Sequence, residues 1–231
     1  MKRPVNLMKK LSAVLLFSCL SVWAGKAEDE RLRAAATVLQ EIMSIEDRAI
    51  PQDLFARARC AIIIPGAKKA GFIFGGKYGR GFASCRMPDG KGWTGPVGVR
   101  IEGGSFGLQI GVAEVDIVML VMNQSGMERL LSSKFTLGAD ATAAAGPVGR
   151  STSAQTDVTM RAEILAWSRS RGVFGGIMLQ GATMRDDRDV DEALYGSNVD
   201  RKEVLRGKLG VPRAAQELIS LLNKYSAYPN K

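Results

Sequence analysis

The sequence predicts an α+β domain: a curled, largely antiparallel, glycine-rich sheet or half-barrel, with an N-terminal helix before it and C-terminal helices after it. Three observations carry that expectation. Residues 28–48 place apolar side chains at helical spacing. From residue 60 the texture changes to short apolar runs cut by glycine, a residue that occurs 26 times in the chain. From residue 187 helical patterns return. A length of 231 residues with 46% hydrophobic content suits one domain with a sizeable core, expected over residues 28–231.

Residues 1–27 read as a signal peptide. MKRPVNLMKK is basic, LSAVLLFSCLSVWA is apolar, and GKAEDE turns polar. The apolar run is shorter than the roughly 20 residues a membrane-spanning helix needs. Small residues favour cleavage after Ala24 or Ala27. Cys19 offers lipid anchoring as an alternative, although Phe17 fits that processing poorly; it reads equally as apolar filler. The expected location is outside the cytoplasm, in the periplasm or cell envelope. Residues 1–24 hold four basic residues and no acid, so the net charge of +9 falls to +5 without them.

In order along the domain, Leu32, Ala35, Ala36, Leu39, Ile42 and Met43 mark one face of the first helix. Glu28, Asp29 and Glu30 suit its N-terminus. Pro51 breaks it, and Gln52 to Ala58 make a second, short helix. CAIIIP, GFIFGG and GRGFASCR read as strands, with a turn around Lys77 and Tyr78. Asp89-Gly90 signals a hairpin. WTGPVGVRIEGG, SFGLQIGVAEV and DIVMLVMN continue the sheet. SGMERLLSS is a short helix with Ser125 as its cap. KFTLGADATAAAGPVGR is expected to follow an extended path. DVTMRAEILAWSRSRG, VFGGIMLQ and GATMR return to strands. DRDVDEALYG, DRKEVLRG and PRAAQELISLLNKY read as three helices, with Pro212 at a helix start.

The stretch GFIFGGKY, residues 71–78, nearly matches a phosphate-binding loop, in which Gly-Lys is followed by Ser or Thr; here Tyr78 follows. Phe-Ile-Phe suits a strand, and Gly79-Arg80-Gly81 leaves no helix N-terminus to face a phosphate. An internal echo supports the strand reading. Phe74-Gly75-Gly76 recurs as Phe174-Gly175-Gly176, Gly81 as Gly181, and Arg86 and Arg185 close the two stretches. Glycines repeated inside strands mark bulges, bends and close backbone approach.

Catalysis finds little support. The chain has no histidine, which removes imidazole-based acid/base chemistry and imidazole metal sites. Glu102, Glu114, Asp116, Asp140 and Asp157 show no spacing that pairs them, and Asp140 suits capping of backbone N–H groups. DDRDVDE lacks the glycine and terminal glutamate of a calcium loop. No cofactor or metal is expected. Cys60 and Cys85 lie in strand-like segments, where they form either a disulfide or two small buried hydrophobes. Nucleic-acid binding is disfavoured by the modest charge without the leader and by 6% aromatic content.

The blocks IIIPGAKKAGFIFGGKYGRGFASCR, DGKGWTGPVGVRI, GSFGLQIGVAEVDIVMLVMN, TLGADATAAAGPVGR, SRSRGVFGGIMLQGATMR and VLRGKLGVPRAAQEL resemble the SYLF domain family in order and spacing, over roughly residues 50–225. The resemblance implies a non-catalytic domain. Eukaryotic relatives occur in endocytic and trafficking proteins with phosphoinositide binding, and fungal ones bind actin. Lipid binding is proposed for exported, stand-alone bacterial-type members. The expected function is therefore binding of an anionic phospholipid or phosphoinositide-like headgroup at the cell envelope. The alternative is a structural or protein-interaction module with a protein partner and no lipid.

Basic residues gather at the edges of both glycine units: Lys68, Lys69, Lys77 and Arg80 at the first, Arg169 and Arg171 before the second, and Arg150 closing GPVGR. They are the candidate lipid-binding residues, as a basic rim if the two units are neighbours. The competing reading is ordinary solvated charge.

Overall fold

The computed structural model describes residues 26–45, 49–71, 74–106, 111–148, 161–170 and 173–227. Helix α1 runs over 26–43 and α2 over Gln52–Arg57. The strands are β1 (Cys60–Gly71), β2 (Phe74–Cys85), β3 (Val97–Phe106), β4 (Gly111–Val121), β5 (Lys134–Thr136), β6 (Ala143–Ala145), β7 (Ile164–Ser170), β8 (Val173–Gly176) and β9 (Thr183–Asp186). Helix α3 (Gln124–Leu130) interrupts them. Helices α4 (Arg188–Tyr195), α5 (Arg201–Leu205) and α6 (Gln216–Ser226) close the chain, the last entered through a 3₁₀ turn after Pro212. The α+β expectation holds.

All nine strands join one sheet, in the order β5-β9-β3-β2-β1-β4-β7-β6, with β8 also on β7. Every pairing is antiparallel except β6 with β7. The end strands β5 and β6 follow each other in sequence, and Leu137 bridges Ala141 between them. A short connection joining both ends of the sheet curls it into a half-barrel.

Both faces of that sheet are covered. On the outer face, Ala61, Ile63, Phe82, Val118, Leu120 and Trp167 pack with Leu32, Leu39 and Ile42 of α1, Phe55 of α2 and Leu222 of α6. On the inner face, Ile62, Ile64, Val99, Ile101, Ile117 and Met119 pack with one another and with Leu130, Leu179 and Val204. Strands buried on both faces need apolar residues at every position, so AIII and IVMLV carry no alternation. Each large aliphatic side chain buried in this way stabilises the fold by about 1.5–3 kcal/mol.

Two glycines show why the sheet needs them. Gly66 makes a bulge in β1, where the register with both neighbours shifts. It adopts φ +58°, and its N–H donates to Asp116 Oδ1 at 2.9 Å. Gly81 lies against that bulge, and a Cβ there would stand 2.1 Å from the Ile63 carbonyl oxygen.

Several local expectations are corrected. Lys77 and Tyr78 are not in a turn but inside β2, because β1 and β2 form one long hairpin whose connection is residues 72–73. GFIFGGKY is thus strand, connection and strand, with no helix after the lysine. Ser125 does not cap α3. Asn123 does, accepting from the Gly126 N–H at 2.9 Å, while Ser125 donates to Glu163. The extended path expected from residue 134 is two short strands around a turn, where Asp140 accepts from the Thr136 N–H at 2.8 Å. Cys60 and Cys85 are register partners joined in a disulfide. Residues 1–25 of the expected leader, with Cys19, and Asp157 lie outside the described residues, while residues 26 and 27 already belong to α1.

Candidate functional site

Three pairs of consecutive strands, two of them hairpins, have their adjoining ends at one pole. They are β1–β2, ending at Gly71 and Phe74; β3–β4, ending at Phe106 and Gly111; and β7–β8, ending at Ser170 and Val173. Glycines meet across strands there: Gly71 with Gly75 and Gly111, and Gly76 with Gly104. The segment 177–182 leaves β8 and enters β9 at the same pole, because Thr183 pairs with Glu102 in the tip-ward half of β3. The two glycine units are therefore neighbours.

Between them lies a cavity of about 190 Å³. Ile101 and Ile117 come from the inner sheet face, Ile177 and Leu179 from the segment after the second glycine unit. Lys68, Lys77 and Met178 also line it. Met178 in its lining is 50% exposed, and Val173 at the start of β8 is 70% exposed. A lysine-bordered apolar opening with protruding apolar side chains can hold an amphiphile, with cations for its head and a dry wall for its tail.

The structure divides the candidate basic residues. Lys68 is exposed, Lys77 half-buried, and Lys69 is the register partner of Lys77. Lys68, Lys69 and Lys77 thus share the tip pole. Arg80 turns to the helix-covered face. Its guanidinium forks onto Asp187, with Nε to Oδ2 at 2.5 Å and Nη2 to Oδ1 at 2.9 Å, and Glu28 of α1 stands 3.9 Å away. Those hydrogen bonds raise its already high pKa, against burial. Arg169 forks onto Asp116, at 3.0 and 2.7 Å, and also donates to Glu41 of α1. Burial pulls its pKa down, but the bonds to Glu41 and Asp116 outweigh that and raise it. Both arginines tie α1 and the sheet together. Arg150 and Arg171 lie outside the described residues.

Sequence reasoning passed over Val173, Met178 and the cavity itself. The signal was present in VFGGIMLQ, an apolar run that a strand of only four residues cannot bury along its whole length.

Comparison with known proteins bears on the same residues. Residues 102–225 match the family described as "Las17-binding protein actin regulator", Ysc84. The chain is 28% identical over 200 residues to SH3 domain-containing YSC84-like protein 1 of Rattus norvegicus, covering 84% of this chain and 58% of that protein. It is 31% identical over 179 residues to LAS seventeen-binding protein 3 of Saccharomyces cerevisiae, covering 76% of this chain and 39% of that protein. The chain thus spans between two-fifths and three-fifths of the length of these relatives.

Proposed function

Because this chain belongs to the SYLF family, we propose that it is a non-catalytic binding domain whose hairpin pole docks on an anionic lipid surface. The observation that carries the reading is the lysine-bordered apolar cavity with half-exposed Met178 in its lining. Cations near an anionic bilayer contribute on the order of 1 kcal/mol each, and apolar side chains entering the interface add to that. The basic and apolar pattern of residues 1–27 supports export, with docking on an envelope membrane.

A second reading rests on the relatives' names, which describe binding to the protein Las17 and actin regulation. In that reading the same pole holds a protein partner.

The test is co-sedimentation of the chain with neutral and anionic vesicles, at about 50 mM and at several hundred millimolar salt. Salt-sensitive binding to anionic vesicles is expected, and the variant Lys68→Gln/Lys77→Gln should weaken it about 30-fold, from two charges at about 1 kcal/mol each. Met178→Ser should weaken the part that salt leaves. No sedimentation with any vesicle would overturn the lipid reading and favour a protein partner.

A further inference from the structure

Residues 1–27 read as a leader with two cleavage sites open, after Ala24 or after Ala27. Small residues alone do not decide between them. Gly25 and Ala27 flank Lys26 in GKA, and Val22 and Ala24 flank Trp23 in VWA. The fold separates the two sites, because residues 26 and 27 belong to α1.

The first turn of α1 anchors the helix. Glu28 is only 6% exposed there. Arg31, one turn on, donates to its carboxylate, and Arg80 of β2 stands 3.9 Å from it. Arg80 in turn forks onto Asp187, which precedes α4. Glu28 therefore joins α1 to β2 and to the start of α4. Behind it, Leu32, Ala35 and Ala36 are buried in the core on the outer face of the sheet. On the flank of the same turn, Ala27 and Ala34 line a groove beside Pro65 and Gly66 of β1.

Glu28 keeps this place only while the residues before it are helical. An α-helix pairs each N–H with the carbonyl four residues earlier, so Lys26 and Ala27 supply the carbonyls for Glu30 and Arg31. A cut after Ala27 removes both and frays the turn that carries Glu28. It also turns the Glu28 nitrogen into an α-ammonium, charged at neutral pH because such groups titrate at about 8. That charge stands at the positive end of the helix dipole. It competes with Arg31 and Arg80 for one buried carboxylate. A cut after Ala24 has neither effect, because Gly25, Lys26 and Ala27 stay in place and the new ammonium lies upstream of the described helix.

We propose that the leader is removed at the Ala24–Gly25 bond, so that the mature chain begins at Gly25 and keeps every described residue of α1. This rests on the reading of residues 1–27 as an export leader, and names the bond at which that leader leaves.

The test is export of the full 231-residue chain in a Gram-negative host, followed by intact mass and N-terminal sequencing of the protein from the envelope and periplasmic fractions. The expected product starts at Gly25. A start at Glu28, or at a lipid-modified Cys19, would overturn the proposed site while leaving export standing. Recovery of the uncut chain alone would overturn the site and the export reading together. Two variants of the full chain check the bond from either side. Ala27→Glu should be cut like the wild type, since residue 27 is exposed and an acid suits the first turn of a helix. Ala24→Glu should accumulate as the precursor, since a small residue no longer precedes the bond. The reverse pattern, with Ala27→Glu uncut and Ala24→Glu cut normally, would place the cut after Ala27 and overturn the proposal.

Discussion

Replacing Arg80 by Gln separates a residue that holds the fold from one that meets a ligand. Asp187 is 1% exposed and accepts both arms of the Arg80 fork. Removing the arginine leaves a buried carboxylate without its counter-charge. Breaking such a pair from one side costs about 3–5 kcal/mol. The Arg80 side chain is 26% exposed, so water reaches it and the lower end applies, about 3 kcal/mol. Against a total stability of about 5–15 kcal/mol the chain should still fold. A loss of that size lowers the thermal midpoint by roughly 6–12 °C for a domain of this length. Urea denaturation and calorimetry of the full chain measure the loss, and vesicle co-sedimentation is run on the same samples. Adding Asp187→Asn should recover much of the loss, because the buried charge goes with it. A loss below about 1 kcal/mol would show an ordinary screened surface pair and refute the reasoning. Vesicle binding that falls in the folded variant as it does for Lys68→Gln/Lys77→Gln would place Arg80 against lipid instead.

Two further outcomes follow from the core. Burial raises the Asp191 carboxyl from 3.8 to about 6, against the pull of Arg201 and the Gly98 N–H. The native state therefore holds that proton more tightly than the unfolded chain, so this contribution is full below about pH 3.8 and is lost as pH rises through about 6, about 3 kcal/mol in all. The difference in urea stability between wild type and Asp191→Asn should change by roughly 2 kcal/mol between pH 4 and pH 7, and a flat difference would sink the assignment. Removing the Cys60–Cys85 disulfide, 25 residues apart, as Cys60→Ala/Cys85→Ala should cost about 3.5 kcal/mol by the loop-entropy relation, read as a lower urea midpoint. An unchanged midpoint would mean that β1–β2 pairing alone already holds those ends together.

Helical spacing marked α1, α2 and the three C-terminal helices, and glycine-cut apolar runs marked the sheet, because periodicity and chain punctuation are local properties. The same local logic showed that no helix follows Lys77, although it put Lys77 in a turn rather than inside β2, and the ordered blocks of sequence indicated the family. Other features were settled only by tertiary structure. Arg80 meets Asp187 across 107 residues and Arg169 meets Asp116 across 53. No local pattern separates those arginines from Lys68 or Lys77, since a basic residue beside a glycine strand looks the same whether a distant carboxylate closes on it or not. The disulfide depended on Cys60 and Cys85 becoming register partners rather than two separate buried thiols. The apolar cavity arose from curling, which brings Ile177 and Leu179 against Ile101 and Ile117. That cavity exists only because the sheet curls, bringing together residues that are far apart in the chain.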